Sequence, residues 1–270
     1  MAVILITGAS SGIGFQTAKD LAQQDHIVYG AARRLDKLEV LVPYGVKPLS
    51  LDITSEDSIS QAVATLIANE GRIDILINNA GYGSYGAVED VSIDEAKQQF
   101  EVNLFGMARL TQLVLPYMRA QHHGRIINTS SMGGRLVSYM GAWYHATKYA
   151  VEAFSDALRM ETKDFGIKVA IIEPGGIKTN WGFIAADHLE DSARHGAYQA
   201  QATKAATGMR QQYSSRMMSD PKIIAKAISK AVNQRRPRAR YLIGFGAKPL
   251  VLAKLILPTR AFDFLMMHAS

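Results

Sequence analysis

The sequence has 270 residues, of which 48% are hydrophobic and 20% charged, with no cysteine and a net charge of +6. This composition is too apolar for a disordered chain, and it excludes a disulfide scaffold, a cysteine nucleophile and a cysteine-based zinc site. The sequence predicts no bound metal, and no nucleic-acid-binding motif accompanies the basic run around Arg238, so we expect no nucleic acid partner. Without a signal peptide or a run of 18 apolar residues, the chain is expected to be soluble and cytoplasmic.

Short apolar runs alternate with longer amphipathic segments along the first two thirds of the chain. The apolar runs predict strands at residues 3–6, 27–31, 46–51, 73–77, 125–129 and 169–172. The amphipathic segments predict helices at residues 13–24, 55–70, 93–119 and 142–165. Thr54 and Asp57 are a predicted capping pair for the second helix. Because most of these strands are apolar throughout, we expect a parallel sheet with helices on both faces.

The last third of the chain has a different pattern. Residues 175–219 are polar or small and show no clear strand, which is typical of an irregular substrate lid. Pro221 predicts the start of a further helix, residues 241–243 predict a last strand, and residues 247–270 form an amphipathic tail. Residues 1–270 together predict a single Rossmann-type α/β domain, with a doubly wound parallel sheet of about seven strands.

A glycine-rich segment follows the first predicted strand and opens the first predicted helix. It reads Thr-Gly-Ala-Ser-Ser-Gly-Ile-Gly from Thr7 to Gly14, and its G-x-x-x-G-x-G spacing lets the backbone turn tightly. The free amide groups and the dipole of a helix N-terminus favour a pyrophosphate at this place. The residues predicted to bind a dinucleotide here are Gly8, Ser10, Ser11, Gly12, Ile13 and Gly14.

The same residues also match the G-x-S-x-G elbow of serine hydrolases, in which Ser10 would be the nucleophile. That elbow normally follows a later strand, after the loop that supplies the oxyanion hole. None of the seven histidines lies in a convincing context for the general base. The hydrolase is therefore an alternative that the sequence disfavours.

A pair of arginines occupies the position that distinguishes NAD from NADP in dinucleotide-binding folds. About twenty residues after the glycines, where a fold that prefers NAD has an acidic residue, the chain reads Ala31-Ala32-Arg33-Arg34. A guanidinium offers the 2′-phosphate of NADP a fork of donors, whereas an acid would repel it. NADP is therefore the predicted cofactor, with Arg33 as its contact, and a solvated basic pair is the alternative.

Three side chains suggest chemistry on an alcohol or carbonyl oxygen. Tyr144 and Lys148 lie one turn apart on one face of a predicted helix. A nearby cation favours the phenolate, so a tyrosine with an unperturbed pKa of about 10 can exchange a proton near neutral pH. Ser131, thirteen residues before the tyrosine, follows a predicted strand, and ligands of open α/β sheets bind at such carboxyl ends.

The order of these motifs resembles the short-chain dehydrogenase/reductase family, and within it the NADP-preferring branch of 17-beta-hydroxysteroid and retinol dehydrogenases. The resemblance covers nearly the whole chain. It rests on the glycine segment, Asn78-Asn79-Ala80-Gly81, Ser131, Tyr144-x-x-x-Lys148 and Pro174-Gly175.

The resemblance implies a role for each matching residue. Ser131 would orient the substrate oxygen, Tyr144 would be the general acid or base, and Lys148 would lower the pKa of Tyr144 and hold the nicotinamide ribose. Asn103 matches the family asparagine that holds a water in a proton relay. The other matching cofactor positions are Asp52 with Ile53 at the adenine, Asn79 and Gly81 at the adenosine ribose, and Ile177 and Thr179 at the carboxamide and pyrophosphate. A helix cap at Asp52 and a structural role for Asn103 are the alternatives, and His145 is expected to be a surface or packing residue.

The resemblance further implies an NADP-dependent oxidoreductase that interconverts a carbonyl and a secondary or primary alcohol on a hydrophobic substrate. The large side chains predicted to line the substrate pocket are Met132, Tyr139, Met140, Trp143, Trp181 and Phe183. An acyl-carrier-protein-linked 3-oxoacyl reductase is the alternative within the family. A homodimer or homotetramer is expected, and the basic tail leaves open a weak contact with a membrane surface.

Overall fold

Seven parallel strands form the centre of the computed structural model, which describes residues 1–268. The strands are β1 (Val3–Thr7), β2 (Ile27–Ala32), β3 (Val46–Ser50), β4 (Ile75–Asn78), β5 (Gly124–Thr129), β6 (Ile167–Pro174) and β7 (Arg240–Ile243). Their order across the sheet is β3-β2-β1-β4-β5-β6-β7, so successive strands are added to one side of β1 up to β3 and to its other side from β4 onward. In such a sheet a ligand crevice forms where the strand order reverses, outside the carboxyl ends of the strands. The prediction of a doubly wound sheet of about seven strands is confirmed.

Helices cover both faces of this sheet. They are α1 (Gly12–Ala22), α2 (Asp36–Glu39), α3 (Glu56–Glu70), α4 (Ile93–Phe100), α5 (Gly106–Ala120), α6 (Ala142–Glu161), α7 (Trp181–Ser192), α8 (Gln199–Ser214), α9 (Pro221–Asn233), α10 (Ala247–Ile256) and α11 (Thr259–His268). On one face Ile4 and Ile6 of β1 pack with α1 and α9, and on the other Val3 and Leu5 pack with α3 and α5. Alternate residues of one strand therefore belong to two cores, which is why the strands are apolar throughout.

Two details near the centre of the chain differ from the sequence prediction. Ser55, rather than Thr54, is the N-cap of α3, and its hydroxyl accepts a hydrogen bond from the amide of Ser58. The helix predicted at residues 93–119 is interrupted by a π-helical turn at Glu101–Phe105. Such a wider turn shifts the register of a helix and is frequent at functional sites.

The segment 175–219 is not irregular, because it contains α7 and α8. The two helices pack through small side chains, among them Ala185, Ala186, Ala202 and Ala206, all at most 1% exposed. Alanine is the strongest helix former but adds little to a pattern of large apolar residues. The sequence prediction therefore missed two helices that small residues allow to approach closely.

The tail forms a hairpin of two helices, α10 and α11. Its inner side packs Val251 and Phe262 against Leu136, which lies between β5 and α6. In residues 1–268 no helix is both long enough and apolar enough to cross a membrane.

Candidate active site

One large cleft, of about 920 Å³, opens at the carboxyl ends of the strands. Thr7, Ala32, Thr129 and Pro174, which end β1, β2, β5 and β6, all lie on its wall. The glycine-rich segment lines one end, and residues of α7, α8 and the C-terminal hairpin line the other. The cleft therefore lies where the reversal of the strand order predicts a ligand site.

The glycine segment forms a tight turn that only glycine accommodates at several points. Gly8 and Gly12 have φ angles of +68° and +55°, in the left-handed region. A Cβ atom on Gly14 would collide with the carbonyl oxygen of Gly8, and one on Gly12 would lie 3.3 Å from Thr179. The hydroxyl of Ser11, at the N-cap of α1, accepts no hydrogen bond from the amides of the first turn, which leaves those amides to an anion. The cradle fits a pyrophosphate, and Thr179 lies against it as expected.

Beyond the glycine segment, the rim of the cleft carries charged side chains. Arg33 and Arg34 are exposed and line the cleft together with Asp52 and Ile53. The carboxylate of Asp52 accepts hydrogen bonds from the amide and the hydroxyl of Thr54, at 3.0 and 2.8 Å. The bond from the Thr54 amide is the main cause that lowers the pKa of Asp52, and the charge of Arg33 lowers this pKa further. Asp52 therefore closes the turn before α3, whose N-cap is Ser55, while it also lines the cleft.

The loop after β4 is held against the glycine segment. The side-chain amide of Asn79 donates to the carbonyl oxygen of Thr7 at 3.1 Å, and the Thr7 hydroxyl accepts from the backbone amides of Asn79 and Ala80, both at 3.0 Å. Gly81, Ile177 and Thr179 also line the cleft. The structure thus brings the predicted cofactor residues to one continuous surface, except Gly14, which does not line the cleft and packs against the carbonyl oxygen of Gly8.

Ser131, Tyr144 and Lys148 meet on the wall in the middle of the cleft. The Ser131 hydroxyl accepts a hydrogen bond from the amide of Gly133 at 2.9 Å, which fixes it in the turn after β5. Burial raises the pKa of Tyr144, and a hydrogen bond with the Ser131 hydroxyl acts in the opposite direction. The Lys148 ammonium donates to the carbonyl oxygen of Thr129 at 3.0 Å, and burial lowers its pKa to about 8.

Tyr144 is buried, and Lys148 lies near its ring. The ammonium nitrogen lies 6.0 Å from the centre of the phenol ring. Burial is the main cause that raises the pKa of Tyr144, and the neighbouring phenols of Tyr85 and Tyr213 raise it further. Low polarity around Tyr144 therefore keeps its proton on, which suits a proton donor.

Asn103 lies in the π-helical turn between α4 and α5 and is 2% exposed. Its side-chain amide donates to the carbonyl oxygen of Tyr82 at 2.9 Å and to the Thr147 hydroxyl at 3.1 Å, and its oxygen accepts from the Tyr82 amide at 3.0 Å. A Cβ atom on Gly81 would lie 3.0 Å from the Asn103 oxygen and 3.7 Å from the Lys148 ammonium. Asn103 therefore ties the loop after β4 to α6, and Gly81 keeps open the space between Asn103 and Lys148.

Aromatic rings surround Tyr144 at the other end of the cleft. The ring centres of Trp181 and Tyr85 lie 5.0 and 5.6 Å from that of Tyr144, and Tyr213 lies 6.1 Å from Trp181. Of the side chains predicted to line a substrate pocket, Met132 and Trp181 do so. Tyr139, Met140, Trp143 and Phe183 do not line the cleft, and the prediction is wrong for them. Residues that the sequence reasoning missed there are Tyr82, Tyr85, His188, Gln212, Tyr213 and Met218.

The match to a known family covers most of the sheet. Residues 2–186 match the model of the short chain dehydrogenase family. The chain belongs to the short-chain dehydrogenases.

Two solved structures and one curated relative illustrate the similarity. A short-chain dehydrogenase from Streptomyces avermitilis superposes with a TM-score of 0.82 at 34% identity, covering 94% of this chain and 93% of that one. A serine dehydrogenase complexed with NADP+ gives a TM-score of 0.77 at 25% identity, covering 90% and 94%. The 3-ketodihydrosphingosine reductase of Bacteroides thetaiotaomicron is 37% identical over 260 residues, which cover 90% of this chain and 87% of the relative.

His145, next to Tyr144, holds the loop that carries Ser131. It is 3% exposed, and its Nε2 accepts from the amide of Ser138 at 2.9 Å, which places the ring proton on Nδ1 for the carbonyl oxygen of Gly133 at 2.8 Å. Burial lowers the pKa of His145. The expectation of a packing residue is confirmed. Among residues 1–268 no hydrogen bond joins Ser10 to a histidine, so the serine-hydrolase alternative lacks its general base.

Glu152, one turn after Lys148 on α6, belongs to a charged cluster with Glu173, Arg135 and Arg240. The Nε of Arg240 lies 3.1 Å from a carboxylate oxygen of Glu152 and 3.3 Å from one of Glu173, and Arg135 donates to Glu173 at 3.1 Å. The second carboxylate oxygens of Glu152 and Glu173 are buried without a partner. Burial raises the pKa of Glu152 to about 7.

The sequence contained one sign of this cluster, since Glu152 lies four residues after Lys148 and thus on the same face of α6. Its partners Glu173 and Arg240 come from β6 and β7, which only the fold brings together. Arg240 therefore belongs to the ion-pair cluster and not to a basic surface run.

Proposed function

We propose that this short-chain dehydrogenase is an NADP(H)-dependent oxidoreductase that interconverts a carbonyl and a secondary or primary alcohol on a hydrophobic substrate by hydride transfer. The observation that carries the proposal is the convergence of Ser131, Tyr144 and Lys148 in the same cleft as the glycine cradle and Arg33. NADP+ in a similar short-chain fold, that of the serine dehydrogenase, supports the choice of cofactor.

Each residue of the chain has a distinct task in this proposal. When bound, NADPH supplies the hydride that the carbonyl carbon accepts. The glycine segment and Thr179 hold the pyrophosphate, Arg33 holds the 2′-phosphate, and Asp52, Ile53, Asn79, Gly81 and Ile177 line the remainder. Lys148, whose ammonium is held by the Thr129 carbonyl oxygen, binds the nicotinamide ribose hydroxyls.

The proton moves at the phenol oxygen of Tyr144. The Ser131 hydroxyl orients the substrate oxygen, and Tyr144 donates a proton to it in reduction or removes one in oxidation. Burial, which raises the pKa of Tyr144, keeps the phenol protonated, as a proton donor requires. Asn103 acts by fixing the loop after β4 and α6, through Tyr82 and Thr147.

The aromatic end of the cleft suits a bulky apolar substrate. Rings of Tyr85, Trp181 and Tyr213 offer large apolar contacts beside Tyr144. A steroid-like or retinoid-like carbonyl fits this surface, and so does a long-chain ketone of the kind that the name 3-ketodihydrosphingosine reductase denotes for the Bacteroides relative. Residues 175–219, with α7 and α8, act as the lid over this end, and we propose a homodimer or homotetramer as the assembly.

The test of the assigned acid is Tyr144→Phe, which removes only the phenol oxygen. We expect the rate of carbonyl reduction to fall by about 10²–10⁴-fold, the usual contribution of a positioned acid. NADPH affinity, measured by fluorescence titration, should stay within about twofold, because the ring and Lys148 remain. Tyr149→Phe, on an exposed tyrosine of the same helix, is the matched control. Turnover retained by Tyr144→Phe would show that another group supplies the proton.

The substrate class is tested by following NADPH oxidation with a panel of carbonyl compounds. The panel contains steroid, retinoid, long-chain aliphatic and sugar carbonyls, together with 3-oxoacyl chains on acyl carrier protein and on a small thiol. We expect the highest kcat/KM with the bulky apolar ketones. A preference for the protein-bound acyl chain over the small thioester would instead support the 3-oxoacyl reductase.

A further inference from the structure

The outer side of the C-terminal hairpin carries an unusual concentration of exposed apolar side chains. Its large exposed apolar side chains are Leu252, Leu255, Ile256, Phe264, Leu265 and Met267. Leu252, Leu255 and Ile256 are separated by three and four positions, so they share one face of α10. They are 57%, 71% and 69% exposed, whereas Val251 and Phe262 on the inner side are at most 5% exposed. Contiguous exposed apolar surface of this kind marks a binding surface.

Basic side chains lie among these apolar ones. Lys248 is exposed one turn before Leu252 on α10, and Arg260 is exposed in the first turn of α11. Lys254 lies between them in sequence, with its ammonium 4.9 Å from the ring centre of Phe262. Asp263 is the single acidic residue from 247 to 267, so the hairpin has a net positive charge. An apolar helical face flanked by lysine and arginine is the pattern of helices that lie in an anionic lipid interface.

The hairpin also borders the opening of the catalytic cleft. Phe245, Leu250 and Met266, which precede or belong to the hairpin, line the cleft. Leu250 and Met266 pack on the inner side of the hairpin with Val251 and Phe262, whereas the exposed apolar side chains lie on its outer side. The hairpin therefore contributes one side to the cleft and leaves the other exposed.

We propose that the outer side of the α10–α11 hairpin is a membrane-docking surface that binds an anionic lipid bilayer. Self-association through the same surface is disfavoured. A symmetric contact would place the three basic side chains of one copy near those of the other, and the single Asp263 of each copy would not balance their repulsion. Anionic headgroups complement those cations, and acyl chains cover the apolar face. The proposal goes beyond the proposed function, since docking is measured without any turnover.

Co-sedimentation of the full chain with vesicles tests the proposal. Vesicles of phosphatidylcholine alone are compared with vesicles that also contain phosphatidylglycerol. We expect binding to the anionic vesicles that weakens at high salt, and little binding to the neutral ones. Absence of binding to the anionic vesicles at low salt would overturn the proposal.

Two double variants separate the apolar and the charged contributions. Leu255→Ser with Ile256→Ser removes the most exposed apolar pair, and Lys248→Glu with Arg260→Glu reverses two cations. Each basic side chain near an anionic surface strengthens binding roughly fivefold, so the charge variant should bind at least about 25-fold more weakly. The serine variant should also lose most of the binding to either kind of vesicle.

Matched controls lie far from the hairpin in sequence. Val40→Ser with Val88→Ser removes two exposed apolar side chains outside the hairpin. Lys222→Glu with Lys226→Glu reverses the charge of two exposed lysines of α9. The valine variant should bind anionic vesicles within about twofold of the unchanged chain. The lysine variant should do so too, apart from the general weakening caused by its lower net charge. Equal losses in hairpin and control variants would overturn the proposal. The proposal would also be overturned if the unchanged chain bound no vesicles and formed an oligomer that dissociates in Leu255→Ser with Ile256→Ser. Size-exclusion chromatography with light scattering measures this dissociation. Thermal unfolding of each variant shows whether it is folded.

Discussion

The two ends of the cleft are built in different ways, although one continuous surface joins them. The cofactor end consists of short segments, residues 7–14, 31–34 and 51–54, that each follow one strand of the sheet. Its shape depends on the backbone, as in the turn at Gly8 and Gly12. The substrate end is made of side chains from distant parts of the chain, such as Tyr85, Trp181 and Tyr213.

This difference indicates which part of the molecule is general and which is particular to this chain. A pyrophosphate bound by backbone amides requires a turn, and many side chains elsewhere are compatible with that turn. A substrate bound by aromatic rings requires those rings at fixed distances, so a change at one of them alters the pocket directly. The wall with Ser131, Tyr144 and Lys148 lies between the two ends and belongs to both.

The largest effect that separates the two ends is expected from Arg33→Asp. In the proposed function Arg33 alone contacts the 2′-phosphate, and the change would replace attraction by repulsion. Hydrogen bonds to charged groups contribute about 1.5–3 kcal/mol, so the ratio of kcat/KM for NADPH over NADH should fall roughly 10- to 100-fold. Steady-state kinetics with both cofactors and one saturating ketone measures this ratio.

Arg34→Asp is the matched control for this change. Arg33 lies near enough to Asp52 and Tyr82 for its charge to lower both of their pKa values, and Arg34 has no such influence on either. The preference of Arg34→Asp should therefore change much less. Equal changes in the two variants would mean that the phosphate is held by the general field of the basic pair.

The sequence predicted the cofactor end well because its signals are local. Gly8, Gly12 and Gly14 are required by a turn within eight residues, and the fold class follows from strands that are apolar throughout. The positions of Ser131, Tyr144 and Lys148 followed from a fixed spacing after β5 and within one helix. All three side chains line the cleft, while their chemical roles remain predictions.

The substrate end could not be predicted in the same way. Trp143 precedes Tyr144 on α6 and is turned about 100° away from it, and Phe183 follows Trp181 by two positions on α7, about 200° away. Both were assigned to the pocket for their size alone. Tyr85 and Tyr213 reach the cleft only through the tertiary fold, and the alanine-rich contact of α7 with α8 has no strong apolar pattern.

A smaller effect, confined to the substrate end, is expected from Trp181→Ala. The indole lies 5.0 Å from the ring of Tyr144, so its removal takes away apolar contact with the substrate and admits water to the phenol. An aromatic contact of this kind contributes about 0.5–1.5 kcal/mol beyond its area, so we expect KM for a bulky ketone to rise roughly tenfold. NADPH affinity should not change, and Trp181→Phe should restore most of the KM.

The pH profile of Trp181→Ala gives a second measurement. Burial raises the pKa of Tyr144, so greater exposure should lower this pKa. Reduction needs the protonated phenol, and its kcat/KM should therefore begin to fall at a lower pH in the variant than in the unchanged enzyme. Phe183→Ala, on the same helix but outside the cleft, is the control. The same shift in Phe183→Ala would mean that the lid as a whole, rather than the indole, shields Tyr144.

The smallest effect is expected from Glu152→Gln, in the charged cluster that Glu152 forms with Glu173 and Arg240. Burial raises the pKa of Glu152 from an ordinary 4.5 to about 7, so the folded state holds this proton more tightly than the unfolded state. The resulting stability is present below pH 4.5 and is lost as the pH rises through 7. Glutamine does not titrate, so Glu152→Gln lacks this loss of about 1–3 kcal/mol in the free energy of unfolding. The Tm of the variant minus that of the unchanged protein should therefore be several degrees higher at about pH 7.5 than at about pH 5.

The pH window and the control isolate this carboxyl group. Lys148, whose pKa burial lowers to about 8, contributes a change of opposite sign that begins as the pH approaches 8, so the comparison ends below that value. Glu161→Gln, on an exposed glutamate of the same helix, should show no pH-dependent difference. If Glu152→Gln lowers Tm equally at both pH values, Glu152 is ionised throughout. The cluster would then be a fixed ion pair in which the charge of Glu152 acts on Lys148.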